Sequence, residues 1–499
     1  MHANMDWLQS RVNISPDAQA VIDAVTDDSW TYKELYERAN IIANYFVTKG
    51  VIKGDRVAIL APNHIGYLDF FFACMQIGAI FIPLNWRLGN NELTYVLQDS
   101  KPKLLGVSPD FKEKVNQTNV DAEIIEIASN DYYKHLTYER HDVFVELKEE
   151  DPLAMIYTGG TTGKPKGVVL SHRSILWNAL NTIVSWDLSA KDVTLITTPM
   201  FHTGGLNVYT LPLLLAGGTV VLSPDFYPEK AVHDLIKYRC TVVLFVPTMY
   251  HMIIQTKEFQ EATFPDMRVF VSGGAPCPHR IYEAFHEKGI AFKEGYGLTE
   301  AGPNNFYIAP EEAIHKIGSV GKPMMFNDIK IVKDDGTVAK ANEVGELVLR
   351  GYHAFEYYWN KPEETAEVIR DGWIHTGDLV KQDHDGYVFI VGRKKDMIIS
   401  GGENVYPLEI EHWLEANERI NEAAVVGLPD EKWGEIVTAF VSLKADVTEE
   451  ELKEYCNQKL TRYKVPKKFY ILEELPKTHV GKINKALLKE KYSLDQEKV

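Results

Sequence analysis

From Trp30 to about Leu84, and again from Val193 to Lys288, apolar residues switch repeatedly between a helical period and short runs of β-formers. Thr31 predicts a helix start, with Glu34 three residues on as its capping-box partner, and the helix runs through Tyr45. Arg56–Leu60 is an expected strand and Tyr67–Ile77 an expected helix. Further along come a strand over Val193–Thr197, a helix over Ala231–Tyr238, a strand over Val242–Val246 and a helix over Ile281–Lys288. This order leaves few folds open. Strands that follow one another through helices run parallel, and a parallel sheet needs both faces covered. The expected class is α/β, with a large N-terminal domain of parallel sheets covered by helices. At roughly 100–200 residues per domain, 499 residues suggest about three units.

The pattern changes after about Pro323. Asp334-Asp335-Gly336 and Asp383-His384-Asp385-Gly386 are tight-turn signals between β-rich runs at Asp328–Val332, Gly345–Arg350 and Tyr387–Val391. Their carboxylates invite a metal reading, but Asx–Gly pairs supply the positive φ that a hairpin turn needs. A small β-barrel-like subdomain is expected over about 323–393. Beyond Asp396 a small α+β unit is expected, with helices at Leu408–Ala416 and Thr448–Leu460 and strands at Glu422–Val426 and Thr438–Leu443. The expected division is 1–393, a hinge at 394–396, and a mobile C-terminal domain over 397–499. The polar segment Gly392-Arg393-Lys394-Lys395-Asp396 would connect the two.

Charge and cysteine spacing exclude several classes. The net charge of −17 argues against a phosphate backbone as main partner, so no nucleic acid is expected. Cys74, Cys240, Cys277 and Cys456 stand far apart, with neither metal nor redox spacing. The longest apolar stretch, Leu68 to Leu84, is interrupted by Gln76, Gly78 and Pro83. It predicts a buried helix running into a buried strand rather than an integral membrane segment. No leader or terminal address is evident, and a cytoplasmic location is expected.

Five segments carry chemistry. Thr158-Gly159-Gly160-Thr161-Thr162-Gly163-Lys164-Pro165-Lys166-Gly167 offers backbone N–H groups, hydroxyls and ammonium groups to a polyphosphate. It is no Walker A loop, because Pro165 follows Lys164 and strand-like residues come next. In Gly295-Tyr296-Gly297-Leu298-Thr299-Glu300 an acid stands where a dinucleotide fingerprint needs glycine. Glu300 suits Mg²⁺ held on a nucleotide, and Tyr296 suits stacking on a base; an ordinary turn is the competing reading. Pro199 to Leu206 places His202 in an apolar, Gly-rich setting, where a buried structural histidine is the usual case. Asp378, in Thr376-Gly377-Asp378, and Arg393 suit ribose hydroxyls and phosphate, or serve as plain surface polar residues. Pro476 to Lys485 carries Lys482 beside Gly481, a long cation on a turn, or else a solvated basic loop.

In this order the five segments resemble the adenylate-forming acyl-CoA synthetases, the superfamily shared with peptide-synthetase adenylation domains and firefly luciferase. The resemblance spans Trp30 to Leu488 and includes Gly273-Gly274-Ala275-Pro276, Lys394 to Ile398, Ser400 to Asn404 and Tyr406 to Glu411. It implies ATP, Mg²⁺ and CoA as reactants and cofactor, with a small-molecule carboxylic acid as substrate. Thr158, Gly159, Gly160, Thr161, Thr162, Gly163, Lys164 and Lys166 would wrap the phosphates, with Thr158 and Glu300 near the metal. Gly274, Ala275, Pro276, Tyr296, Gly297 and Thr299 would surround the nucleotide, and Asp378 with Arg393 would hold its ribose. His202 would sit at the mouth of the acyl pocket, and Lys482 would bridge carboxylate and α-phosphate. Lys395 falls at the hinge, and Gly401 with Gly402 would line a channel for the pantetheine arm of CoA.

Departures from the family pattern are small. Gly159 stands where many relatives have Ser, and Lys485 where many have Arg. An amino-acid substrate would need an acid after Phe201, where His202 stands, with none until Asp225. A luciferase-like oxidase and a non-catalytic nucleotide-binding module are the other rivals; the latter would require the loss of Lys482 or Glu300. The expected pocket lies between His202-Thr203-Gly204, Pro247-Thr248-Met249, Gly273–Ala275 and Tyr296–Gly302. Its small and apolar residues favour a medium- or long-chain fatty acid, with an aryl acid of the coumarate, benzoate or succinylbenzoate type next. Lys459, Arg462, Lys464, Lys467 and Lys468 form a basic cluster that would meet the phosphates of CoA or simply face solvent. A homodimer stays open.

Overall fold

A computed structural model describes residues 5–127, 145–159, 164–478 and 482–496. Among these, the alternation becomes two mainly parallel sheets. In the first, Phe292–Glu294, Val269–Ser272, Val242–Phe245, Val193–Ile196, Thr219–Leu222 and Gln19–Asp23 lie side by side in parallel, and Ser29–Thr31 closes one edge antiparallel. In the second, Glu123–Glu126, Leu104–Val107, Arg56–Leu60, Ile80–Pro83 and Pro152–Thr158 are parallel. Lys166–Ser171 and the two-residue strand Tyr357–Tyr358 extend it antiparallel.

The helix Gly66–Ile77 has every residue except Gln76 buried, as its mostly apolar sequence predicts. Phe70, Phe71 and Phe72 are fully buried, each worth about 1.5–3 kcal/mol in removed apolar surface. The helix Tyr32–Thr48 lies against it, the Phe46 and Phe70 rings meeting edge-on at 5.0 Å. Its capping box at Thr31 and Glu34 is present as expected. Asp69, the one acid in this apolar helix, is fully buried and accepts from Arg38 Nε at 2.9 Å and Nη2 at 2.6 Å. That two-pronged geometry is what makes a buried carboxylate tolerable. No described helix is long and apolar enough to cross a membrane.

A third sheet is antiparallel throughout: Phe306–Tyr307, Ser319–Pro323, Val388–Arg393, Trp373–Gln382, Val344–Arg350 and Asp328–Val332, with Ile369–Arg370 beside Trp373–Gln382. It begins upstream of the expected 323, because Phe306–Tyr307 has the Ser319–Pro323 strand to pair with. Both Asx–Gly segments are turns: Lys333 N–H bonds Thr337 O at 2.8 Å, and Asp383 N–H bonds Tyr387 O at 2.9 Å.

The C-terminal domain has its own sheet and its own apolar cores. Ile420–Asp430 and Gly434–Leu443 form one long antiparallel pair, flanked by Ile398–Ser400, Glu403–Val405 and the parallel strand Lys468–Ile471. These strands outrun the expected Glu422–Val426 and Thr438–Leu443 because each supplies the other's ladder. The helix expected over Thr448–Leu460 spans Glu449–Asn457. Gln458 and Lys459 N–H groups bond three residues back, to Tyr455 and Cys456, tightening its last turn. All four cysteines are free and buried.

Candidate active site

The candidate residues of the two parallel sheets cluster beyond the carboxyl ends of the strands, where open α/β sheets bind ligands. Thr158 ends the strand Pro152–Thr158 and pairs with Lys166 across the base of a hairpin. Gly160, Thr161, Thr162 and Gly163 lie outside the described residues. Of the rest, Gly159 is exposed and Lys164 stands over the Tyr95 ring at 5.4 Å. His202 follows Val193–Ile196, Gly274 to Pro276 follow Val269–Ser272, and Tyr296 follows Phe292–Glu294.

A polar network joins the last of these, Tyr296, to the antiparallel sheet. Asp378 and Arg393 face each other on paired strands. Arg393 Nε donates to Asp378 Oδ1 at 2.8 Å, and the Tyr296 hydroxyl donates to Oδ2 at 2.6 Å. Asp378 is only 4% exposed. Tyr296 is thus tied by its hydroxyl to the acid expected to hold the ribose. Gly297 is required by close approach, since a Cβ there would lie 2.1 Å from Pro303 O. Beneath the Gly274–Pro276 segment, the buried Glu294 accepts from the Tyr282 hydroxyl at 2.7 Å, and burial pushes its pKa up to about 7.

Glu300 sits in a 3-10 turn over Thr299–Ala301. Burial raises its pKa, while the Tyr358 hydroxyl bond and the charges of Arg393 and Lys166 oppose the rise. Tyr358 donates to Oε1 at 2.8 Å. The residue's own backbone N–H also bonds the carboxylate, and among the described residues no group of three or more His, Cys, Asp or Glu could hold a metal alone. A lone carboxylate near Lys166, on the segment expected to bind phosphates, fits Mg²⁺ carried on a nucleotide rather than in a protein cage.

His202 caps the short helix Thr203–Asn207, its Nδ1 accepting from Gly204 N–H at 3.1 Å. That bond leaves the proton on Nε2. Burial first, and the Lys482 ammonium second, push its pKa down to about 4, so the ring is neutral at pH 7. A neutral imidazole can donate from Nε2 without adding charge.

Lys482 arrives from the C-terminal domain. Its loop is pinned at the base: Lys477 pairs with Glu422 at 2.7 Å, Lys485 with Glu411 at 2.6 Å, and Asn484 N–H bonds Pro476 O at 2.7 Å. Residues 479–481, including Gly481, lie outside the described residues. The Lys482 side chain keeps solvent contact. Surrounding protein and the Arg393 guanidinium nevertheless lower its pKa, with Asp378 pulling the other way. It therefore shares one electrostatic neighbourhood with His202, Arg393 and Asp378.

A profile of the AMP-binding enzyme family matches residues 8–359, and one of the AMP-binding enzyme C-terminal domain matches residues 409–482. The chain belongs to the AMP-binding enzyme family, the adenylate-forming acyl-CoA synthetases. The feruloyl-CoA synthase of Amycolatopsis sp is 39% identical over 97% of this chain and 98% of its own. The long-chain-fatty-acid–CoA ligase FadD13 of Mycobacterium tuberculosis is 36% identical over 98% and 99%. Among solved structures, the o-succinylbenzoate CoA synthetase of Bacillus subtilis with ATP and magnesium superposes with a TM-score of 0.87 at 30% identity, covering 96% of this chain and 98% of its own. The chain is accordingly an AMP-forming acyl-CoA ligase.

Other features of this synthetase were not visible in the sequence. Gly401, at φ +62°, is the second half of a close contact, because a Cβ there would lie 2.7 Å from the Trp433 ring. Trp433 is partly exposed and carries Lys467 at 3.4 Å and Lys432 at 5.2 Å over its ring. The basic cluster is split: Lys464 is paired with Glu409 at 2.7 Å and Lys459 stands over Trp413 at 4.5 Å. Lys395, expected at the hinge, is exposed in the 3-10 turn Lys394–Asp396. Neighbouring Lys394 is held to Asp334 at 2.7 Å. The signal for Trp433 lay in Lys432-Trp433-Gly434, an aromatic in a basic turn, but only packing joins it to Gly401.

Proposed function

We propose that this ligase activates an apolar-tailed carboxylic acid, with Lys482 as the mobile cation of the first half-reaction. The observation that carries this is the placement of Lys482: it comes from one domain into the field of His202, Asp378 and Arg393 of the other. A carboxylate attacking the α-phosphorus of ATP brings anion to anion, so positive charge must stand where charge develops. Lys482 supplies it at the carboxylate and α-phosphate, and Lys164 and Lys166 supply it along the leaving pyrophosphate. The Asp378–Tyr296–Arg393 network orients the ribose, fixing the line of attack. Mg²⁺, held by Glu300 and Thr158 with the nucleotide phosphates, would neutralise charge on the leaving group. The products are an acyl-adenylate and pyrophosphate.

The second half-reaction needs a thiol where Lys482 stands. Rotation of residues 397–499 about Lys395 withdraws it and brings Gly401 and Gly402 to the acyl carbon. Trp433 with Lys467 and Lys432 on its ring, packed on Gly401, offers an aromatic face and cations to the nucleotide end of CoA. The thiol expels AMP, leaving the thioester. The small, apolar lining around Gly204, Gly273 and Ala275 favours a medium- or long-chain fatty acid. The 39% identity to a feruloyl-CoA synthase favours a second reading, an aryl acid.

Replacing Lys482 with Ala should abolish acid-dependent pyrophosphate exchange yet spare thioester formation from preformed acyl-adenylate. Normal exchange in that variant would remove Lys482 from the mechanism. A panel of fatty and aryl acids, ranked by kcat/KM in pyrophosphate release with CoA present, decides between the two substrate readings.

A further inference from the structure

Between the phosphate-binding hairpin and Glu300 lies a segment that no motif in the sequence marks, Phe355 to Trp359. It is stitched to both sides. Phe355 N–H bonds Glu300 O at 2.8 Å, Glu356 N–H bonds Val169 O at 2.9 Å, and Trp359 N–H bonds Gly167 O at 2.8 Å. Tyr357 and Tyr358 pair with Val169 and Val168 as the edge strand of the second sheet. Tyr358 is 6% exposed and its ring packs on Phe355 at 4.9 Å. Its position is therefore fixed by three backbone bonds and a packed ring, before any ligand arrives.

Both ends of the Tyr358 side chain are engaged. The hydroxyl donates to Glu300 Oε1 at 2.8 Å. The ring face receives the Lys166 ammonium at 5.2 Å from its centroid. Among the described residues Lys166 makes no ion pair. In a low-dielectric cleft, an ammonium and a carboxylate free to move would close on each other and cancel. A ring that holds the cation by its face, and a hydroxyl that holds one carboxylate oxygen, keep them apart.

We propose that Tyr358 is the positioning residue of the metal–nucleotide site: one rigid side chain holds Oε1 of Glu300, so that the carboxylate is aimed at the cation, and seats Lys166 against the phosphates. Hydrogen bonds that orient a ligating carboxylate commonly matter ten-fold or more for metal affinity. The inference rests on the reading of Glu300 as a metal ligand.

The test uses the full-length enzyme with a non-hydrolysable ATP analogue, and manganese as a paramagnetic probe for the bound cation. Tyr358→Phe should weaken Mn²⁺ retention by about ten-fold. The Mg²⁺ concentration for half-maximal activity should rise by the same factor, with KM for the acid unchanged. Tyr358→Leu should in addition raise KM for ATP, because Lys166 loses its seat. Glu300→Gln should weaken retention at least as much, and adding Tyr358→Phe to it should cost nothing further. Weakening by Glu300→Gln but not by Tyr358→Phe would overturn the positioning role while leaving the ligand reading intact. Unchanged retention in Glu300→Gln would overturn the ligand reading itself, and the proposal with it. Reduced kcat and thermal stability in Tyr358→Phe with unchanged Mn²⁺ retention would mark the tyrosine as packing alone.

Discussion

Lys293 presents a buried ammonium whose cost can be measured. It is 2% exposed, on the strand that leads into Tyr296. Its partners are two ring faces, Trp186 at 4.4 Å and Tyr307 at 4.1 Å, and among the described residues no carboxylate pairs with it. Burial, with a smaller push from Arg268, lowers its pKa from 10.5 to about 7. Such a drop corresponds to a ceiling of about 5 kcal/mol of destabilisation at pH 7. Ring contacts return about 0.5–2 kcal/mol, so Lys293→Met should stabilise the body of the protein by about 3 kcal/mol at pH 7.

The pH dependence gives the sharper test. A lysine whose folded pKa is depressed binds fewer protons in the folded state between its two pKa values. Its cost is therefore complete below about pH 7 and gone above about pH 10.5. The advantage of Lys293→Met should shrink by about 1.4 kcal/mol for each pH unit above 7. The assay is urea unfolding of wild type and variant at pH 7, 8 and 9, followed by tryptophan fluorescence and compared at equal slope. A difference that stays flat across this range, or a variant less stable at pH 7, would refute the buried-amine account.

Three further outcomes are expected. Gly297→Ala should cost about 1–3 kcal/mol, because its Cβ meets backbone at 2.1 Å and nothing flexible can yield; thermal unfolding and ATP-analogue binding should fall together. Asp378→Asn removes the charge that balances Arg393 at 2.8 Å. It should weaken ATP-analogue binding by about ten-fold or more in calorimetry, with the affinity for free acid unchanged. Arg280 crosses from the body to bond Asn421 O at 3.2 Å in the C-terminal domain. Arg280→Met should therefore slow adenylation more than thioester formation and speed tryptic cleavage at Lys394 and Lys395.

Local rules carried the sequence reading a long way. Capping boxes at Thr31 and Thr448 are present because a hydroxyl and a carboxylate three residues apart meet wherever a helix begins. The helix at Gly66–Ile77 followed from an apolar run too interrupted for a membrane and too long for a strand. Strand lengths in the C-terminal domain were harder. Ile420–Asp430 extends past its apolar centre because its partner Gly434–Leu443 completes the ladder, and pairing is a property of two segments. The same limit hid Tyr358. Its hydroxyl bond to Glu300 joins positions 58 residues apart, and neither spacing nor composition marks it.

Sequence alone determined which chemical groups this synthetase carries: a Gly- and Thr-rich loop, an acid at position 300, another at 378, and a lysine on a turn near the C-terminus. Each follows from residue type and its immediate neighbours. Only the tertiary structure decided how those groups act on one another, because electrostatics depends on distance and burial. It neutralised His202, tied Tyr296 to Asp378, divided the basic cluster between Glu409 and two tryptophans, and set Tyr358 between a cation and a carboxylate.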